Sequence, residues 1–140
     1  MSLFILDTDH LTLFQHGHRE VMTRVAATPT TQVAITILTV DEQLTGWYSQ
    51  VRKARDPVKL ARAYGGLSAV VDAIKRFEVL SFSLPAAHRY FALKKQLPRL
   101  SKMDLAIAAT VLEANDILVT RNWGDFQQVP GLALDDWSKP

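Results

Sequence analysis

The 140-residue chain contains no cysteine. That single absence excludes disulfides, thiolate zinc sites and a cysteine nucleophile, and it leaves oxygen or imidazole to hold any metal. Long apolar runs are missing too. The longest are four to six residues, whereas a membrane-spanning helix needs about 20. Met1 leads straight into LFILD with no basic segment ahead of it, so no secretory signal is read and a cytoplasmic location is expected. Neither GxGxxG nor GxxxxGK follows any apolar run, which removes the common nucleotide-binding modules. Charge of one sign is also scarce. Sixteen Lys and Arg against 14 Asp and Glu leave a net +2, which permits a polyanionic partner without requiring one.

What remains is an ordinary globular balance, 48% hydrophobic against 21% charged, at a length suited to one domain over residues 1–140. Short β-like runs at 3–6 (LFIL), 33–35 (VAI), 78–82 (EVLSF), 117–119 (ILV) and 132–134 (LAL) alternate with helical stretches. That alternation predicts an α/β fold in which helices flank a parallel five-stranded sheet. Three apolar stripes have helical spacing. The first carries Val40, Leu44, Trp47, Tyr48 and Val51; the second carries Leu60, Tyr64, Leu67, Val71 and Ile74; Leu105, Ala108, Ala109 and Leu112 make the third. Gly65 and Gly66 interrupt the second stripe at roughly 1 kcal/mol each relative to Ala, which predicts a kink or break. The first two stripes exceed what one small sheet needs as cover, so one of them is expected to form an interface.

Four acids stand where an apolar run ends or a helix begins: Asp7 after LFIL, Glu42 in ITILTVDE, Asp104 in SKMDLAIAA and Asp125 in ILVTRNWGDF. Each has a structural reading when taken alone. Asp7 suits the N-cap of the TDHLTLF helix, Thr39 with Glu42 and Ser101 with Asp104 have capping-box spacing, and Asp125 suits a short helical turn. Taken together they point elsewhere. If the runs are parallel strands, all four carboxylates meet at one sheet edge, where ligands bind in such sheets. Mutual repulsion there normally calls for a cation, and oxygen-only ligation favours Mg²⁺ or Mn²⁺. Thr120 and Asn122 are placed to supply oxygens beside the same site.

The quoted segments resemble the PIN domains and, within them, the VapC toxins of toxin-antitoxin pairs. LDTD, ITILTVDE, KMDLAIAA and LVTRNWGDFQQVPGL correspond in order to the family's acid-bearing segments. The resemblance implies a single PIN-like domain with Asp7, Glu42, Asp104 and Asp125 as catalytic and metal-binding residues. Thr120 and Asn122 are implied as supporting residues, with Asp9 ranked below the four as a capping or supporting group. It further implies an Mg²⁺-dependent endoribonuclease (Mn²⁺ as substitute) acting on tRNA or rRNA. A VapB-type antitoxin covering the site is implied as partner, as are a homodimer and a toxin-antitoxin hetero-oligomer. A housekeeping PIN nuclease in RNA maturation, without antitoxin, is the alternative reading.

Several other features are assigned plainer roles. His16 and His18 read as a solvated loop, and His10 as a surface or partly packed side chain. Trp47, Tyr48, Trp123 and Trp137 read as core or interface aromatics. Two basic groups, Arg52 to Arg62 and Arg89 to Lys102, suit either solvated helical faces or a phosphate track. A receiver-like phosphoacceptor domain is disfavoured because EVLSF carries no acid at its carboxyl end.

Overall fold

Five short strands run parallel in one sheet: β1 (Phe4–Leu6), β2 (Val33–Thr36), β3 (Glu78–Leu80), β4 (Ile117–Val119) and β5 (Ala133–Asp135), in the order β3-β2-β1-β4-β5. The structure is a computed structural model and describes residues 2–140. The strands fall on the predicted runs, with ends moved by one or two residues. Apolar and β-branched residues fill the central strands because helices cover both faces of the sheet. Every residue of β2 is buried.

Alternation along the strands divides the core. Leu6, Val33, Ile35 and Val119 face one layer, and Ile5, Ala34 and Leu118 face the other. The first layer is closed by α1 (Thr8–Gln15), α2 (Arg19–Ala27), α3 (Ile37–Lys53) and α4 (Pro57–Arg76), through Leu11, Val21, Val40 and Val70. The second is closed by α5 (Leu84–Gln96), α6 (Lys102–Ala114) and the short α7 (Trp123–Phe126). Among the described residues, no helix is long and apolar enough to cross a membrane.

The second predicted stripe is corrected. Leu60, Tyr64, Val71 and Ile74 are exposed, and α4 buries Ala63, Gly66, Val70 and Ala73 instead. The helix is also unbroken at Gly65 and Gly66. A Cβ on Gly66 would overlap the Trp47 indole, whereas one at Gly65 meets open space. Small residues thus let α3 and α4 approach closely, and the large apolar residues of α4 are left facing outward.

Candidate active site

Asp7 leaves the carboxyl end of β1, the central strand, where the chain order switches from β2 on one side to β4 on the other. A crevice at such a switch point is the binding position of open parallel sheets. Asp7 Oδ1 accepts the His10 N–H at 2.7 Å and caps α1. The cap and the site are therefore the same residue, with one oxygen committed to the helix and the other free.

Glu42 is not held by a capping box. The N-cap of α3 is Thr36, whose hydroxyl accepts the Thr39 N–H at 3.2 Å, so Glu42 lies deeper in the helix than capping requires. Its Oε1 accepts the Thr8 hydroxyl at 2.5 Å, and Thr8 Oγ1 also contacts Thr39 Oγ1 at 3.1 Å. Burial pushes the Glu42 carboxyl above its ordinary range; the Thr8 hydrogen bond opposes this, and Asp104 and Asp7 push it further up. Asp104 follows the Ser101 cap of α6, donating its N–H to Ser101 Oγ at 3.1 Å as the spacing predicts. Its carboxyl is raised by burial against the opposing Ser101 bond, and then by Asp125 and Asp7. Glu42 thus senses Asp104 and Asp7, and Asp104 senses Asp125 and Asp7.

Asp7, Glu42 and Asp104 line one cleft of about 520 Å³, together with Thr8, Asp9 and Arg121 on its rim. Asp125 does not line it; it lies near enough to Asp104 to raise that carboxyl, and accepts the Asn122 Nδ2–H at 3.1 Å. Asn122 does reach the cleft wall. Thr120 is fully buried, and its hydroxyl accepts the Asn122 N–H at 2.9 Å. That bond shapes the turn after β4. Asp9 grips Arg121 through Nε at 2.7 Å and Nη2 at 3.1 Å.

His10 was not legible. Expected at the surface or partly packed, it is fully buried, with Nδ1 3.4 Å from Asp7 Oδ1 and Nε2 accepting the Trp137 N–H at 3.2 Å. Nδ1 is a buried polar atom without a hydrogen-bond partner. Nothing local in the sequence links two positions 127 residues apart.

All carboxylate donors are hard oxygens, as a divalent cation of the Mg²⁺ class requires. Among the described residues no three His, Asp or Glu side chains stand close enough together to hold one metal ion. Mg²⁺ keeps several waters and takes one or two carboxylates directly, so an open cleft walled by acids fits it. Of the three acids that line the cleft, Asp7, Glu42 and Asp104, one or two would hold such an ion directly and the remainder through its waters.

The PIN domain sequence profile matches residues 5–132. Ribonuclease VapC2 of Rickettsia felis is 31% identical over 70 residues, 47% of this chain and 52% of that protein. The chain thus matches about half the length of that relative. A DNA-bound VapBC structure from Salmonella typhimurium superimposes with a TM-score of 0.80 at 25% identity, covering 98% of this chain and 99% of its counterpart. The VapBC2 structure from Rickettsia felis, bound to a promoter DNA fragment, gives 0.76 at 22% identity over 96% and 98%; at that identity the likeness concerns the fold.

Proposed function

Because this chain belongs to the PIN-domain family, we propose that it is a divalent-metal-dependent endoribonuclease and the toxin of a VapBC-type pair. The observation that carries the reading is the meeting of Asp7, Glu42 and Asp104 around one cleft at the sheet's switch point. The named ribonuclease and VapBC relatives support it.

A divalent cation held at these carboxylates would supply an acidified water and positive charge beside the scissile phosphate. The chain's own residues do the rest. Asp7 is fixed by its capping bond to α1, and Glu42 is fixed by Thr8. Positions held on helix starts and strand ends are stiff, so the carboxylates need little rearrangement before reaction. Arg121, aimed by Asp9, offers a planar fork for a phosphate oxygen at the rim. No side-chain nucleophile is required.

A VapB-type antitoxin covering the cleft, self-association through an apolar helix face and tRNA or rRNA as target belong to the same proposal. The exposed α4 face bearing Tyr64, Val71 and Ile74 suits an interface. Expressed alone, the wild-type protein is expected to arrest bacterial growth, and co-expression of the antitoxin encoded beside it to restore growth. Asp104→Asn at equal soluble expression should be harmless. Equal toxicity of both proteins, or none, sinks the toxin reading.

A further inference from the structure

The acidic cleft does not end at Glu42. A second cavity of about 530 Å³ opens between α1, α3 and α4, and Thr8 and Glu42 wall both spaces. A third, of about 150 Å³, shares Trp47, Gln50 and Arg62 with the second and adds Lys59. Three adjoining cavities with shared walls thus form a groove that leads from the carboxylates, past carboxamides and an indole, to two cations. Glu42, Gly46 and Gln50 recur at four-residue intervals along α3, which sets them on one face spanning about 12 Å. Gly46 has no side chain to fill the space between them, and a Cβ there would meet nothing within 4 Å.

The lining is selective in its chemistry. Trp47 is the one apolar side chain in the second cavity. Its indole is seated on Gly66, so its position is fixed. Gln15 and Gln43 exchange amide hydrogen bonds of 3.0 and 2.8 Å, and Gln43 reaches on to Thr12 at 3.3 Å. That network holds the Gln15 carboxamide in place while leaving it one N–H. Gln50 is exposed, and its carboxamide has no hydrogen-bond partner among the described residues. Carboxamides present a donor and an acceptor side by side, as base edges do.

Electrostatics gives the groove a task. Asp7, Glu42 and Asp104 repel a phosphate backbone, and Arg121 is the only basic residue in their cleft. A bound cation and Arg121 offset that repulsion at the scissile phosphate alone, so further affinity for a polyanion comes from contacts to the flanking nucleotides. Arg62 and Lys59, at the far end of the groove, are placed to supply it.

We propose that this groove is a substrate subsite for the ribonucleotide flanking the scissile phosphate. Its base lodges against Trp47, Gln15 and Gln50, and its outer phosphate rests on Arg62 and Lys59. The assignment rests on the nuclease reading above and deepens it.

The test is steady-state cleavage of a pool of randomised single-stranded oligoribonucleotides by the full chain with Mg²⁺. Arg62→Ala is expected to raise KM about tenfold, the scale of one charge-assisted contact, with kcat within about twofold. The salt dependence of log(kcat/KM) should also flatten by about one unit per removed cation. Gln50→Ala should raise KM and shift the preferred bases at cleaved sites; Lys94→Ala on α5 should change neither. Unaltered KM and site preference in the Arg62→Ala, Lys59→Ala and Gln50→Ala proteins, while wild type cleaves normally, would overturn the subsite and leave the nuclease reading intact. The same result with lost affinity for the antitoxin would give the groove to a protein partner, which also overturns it. Wild type that neither cleaves RNA nor binds it as Asp104→Asn defeats both readings together.

Discussion

The Trp47 indole lies directly over Gly66, in the space a Cβ would otherwise take. Gly66→Ala is therefore expected to destabilise the protein by about 1–3 kcal/mol, the usual penalty for overfilling a packed contact. Gly65→Ala, one residue away and facing open space, should stabilise it by up to about 1 kcal/mol through helix propensity. Opposite signs in paired denaturant titrations would confirm the close helix contact; equal shifts would refute it.

Asp7→Asn and Asp104→Asn should each lower RNA cleavage by at least about two orders of magnitude, the scale seen when a charge-stabilising group is removed. Folding should survive, since Asn also caps helices well. Saturating Mn²⁺ is expected to stabilise wild type by about 2.7 kcal/mol at 100 times its dissociation constant, and Asp104→Asn much less. Chelation should return wild type to its metal-free melting temperature and abolish cleavage. A Mn²⁺ response preserved in Asp104→Asn would remove Asp104 from the ion's neighbourhood.

Burial and mutual repulsion raise the Glu42 and Asp104 carboxyls above their ordinary values of 4.5 and 3.8. The folded metal-free protein then holds more protons than the unfolded chain over the interval from those values up to the raised ones. Stability contributed by these groups must fall as pH rises through that interval. The difference in melting temperature between Asp104→Asn and metal-free wild type should accordingly grow in favour of the variant from pH 4 to pH 7. A difference independent of pH would show that neither burial nor repulsion raises the Asp104 carboxyl.

Asp9 and Arg121 are both about half exposed, and such a pair contributes about 0–1 kcal/mol. Asp9→Asn should leave thermal stability and Mn²⁺ affinity nearly unchanged while weakening RNA cleavage by releasing Arg121. Loss of Mn²⁺ binding in this variant would instead make Asp9 a ligand.

Strand positions were readable because Leu, Ile and Val cluster where helices bury both sheet faces, and Ser101 with Asp104 was readable because a capping box is a local rule. Which side of α4 faces inward was not. Its large apolar residues have the right spacing, yet Ala63 and Gly66 win the buried side because they allow a closer approach to α3. Thr36 displaced Thr39 as the cap for a similar reason: the two have the same chemistry, and the tertiary setting decides where the helix starts. The groove beyond Glu42 was hidden because its walls come from three helices that no sequence motif joins.

The partnership of His10 with Trp137 has a consequence in time. At 5–20 residues per second, the 127 positions between them separate their synthesis by about 6–25 s. Strand β1 likewise waits for β4 before its second edge is paired. Throughout that interval the ribosome carries an Asp7 that lacks its final surroundings. The Asp7 cleft and the His10 side chain beneath it therefore reach their final surroundings only once residue 137 has been made, so the site cannot be complete on a shorter nascent chain.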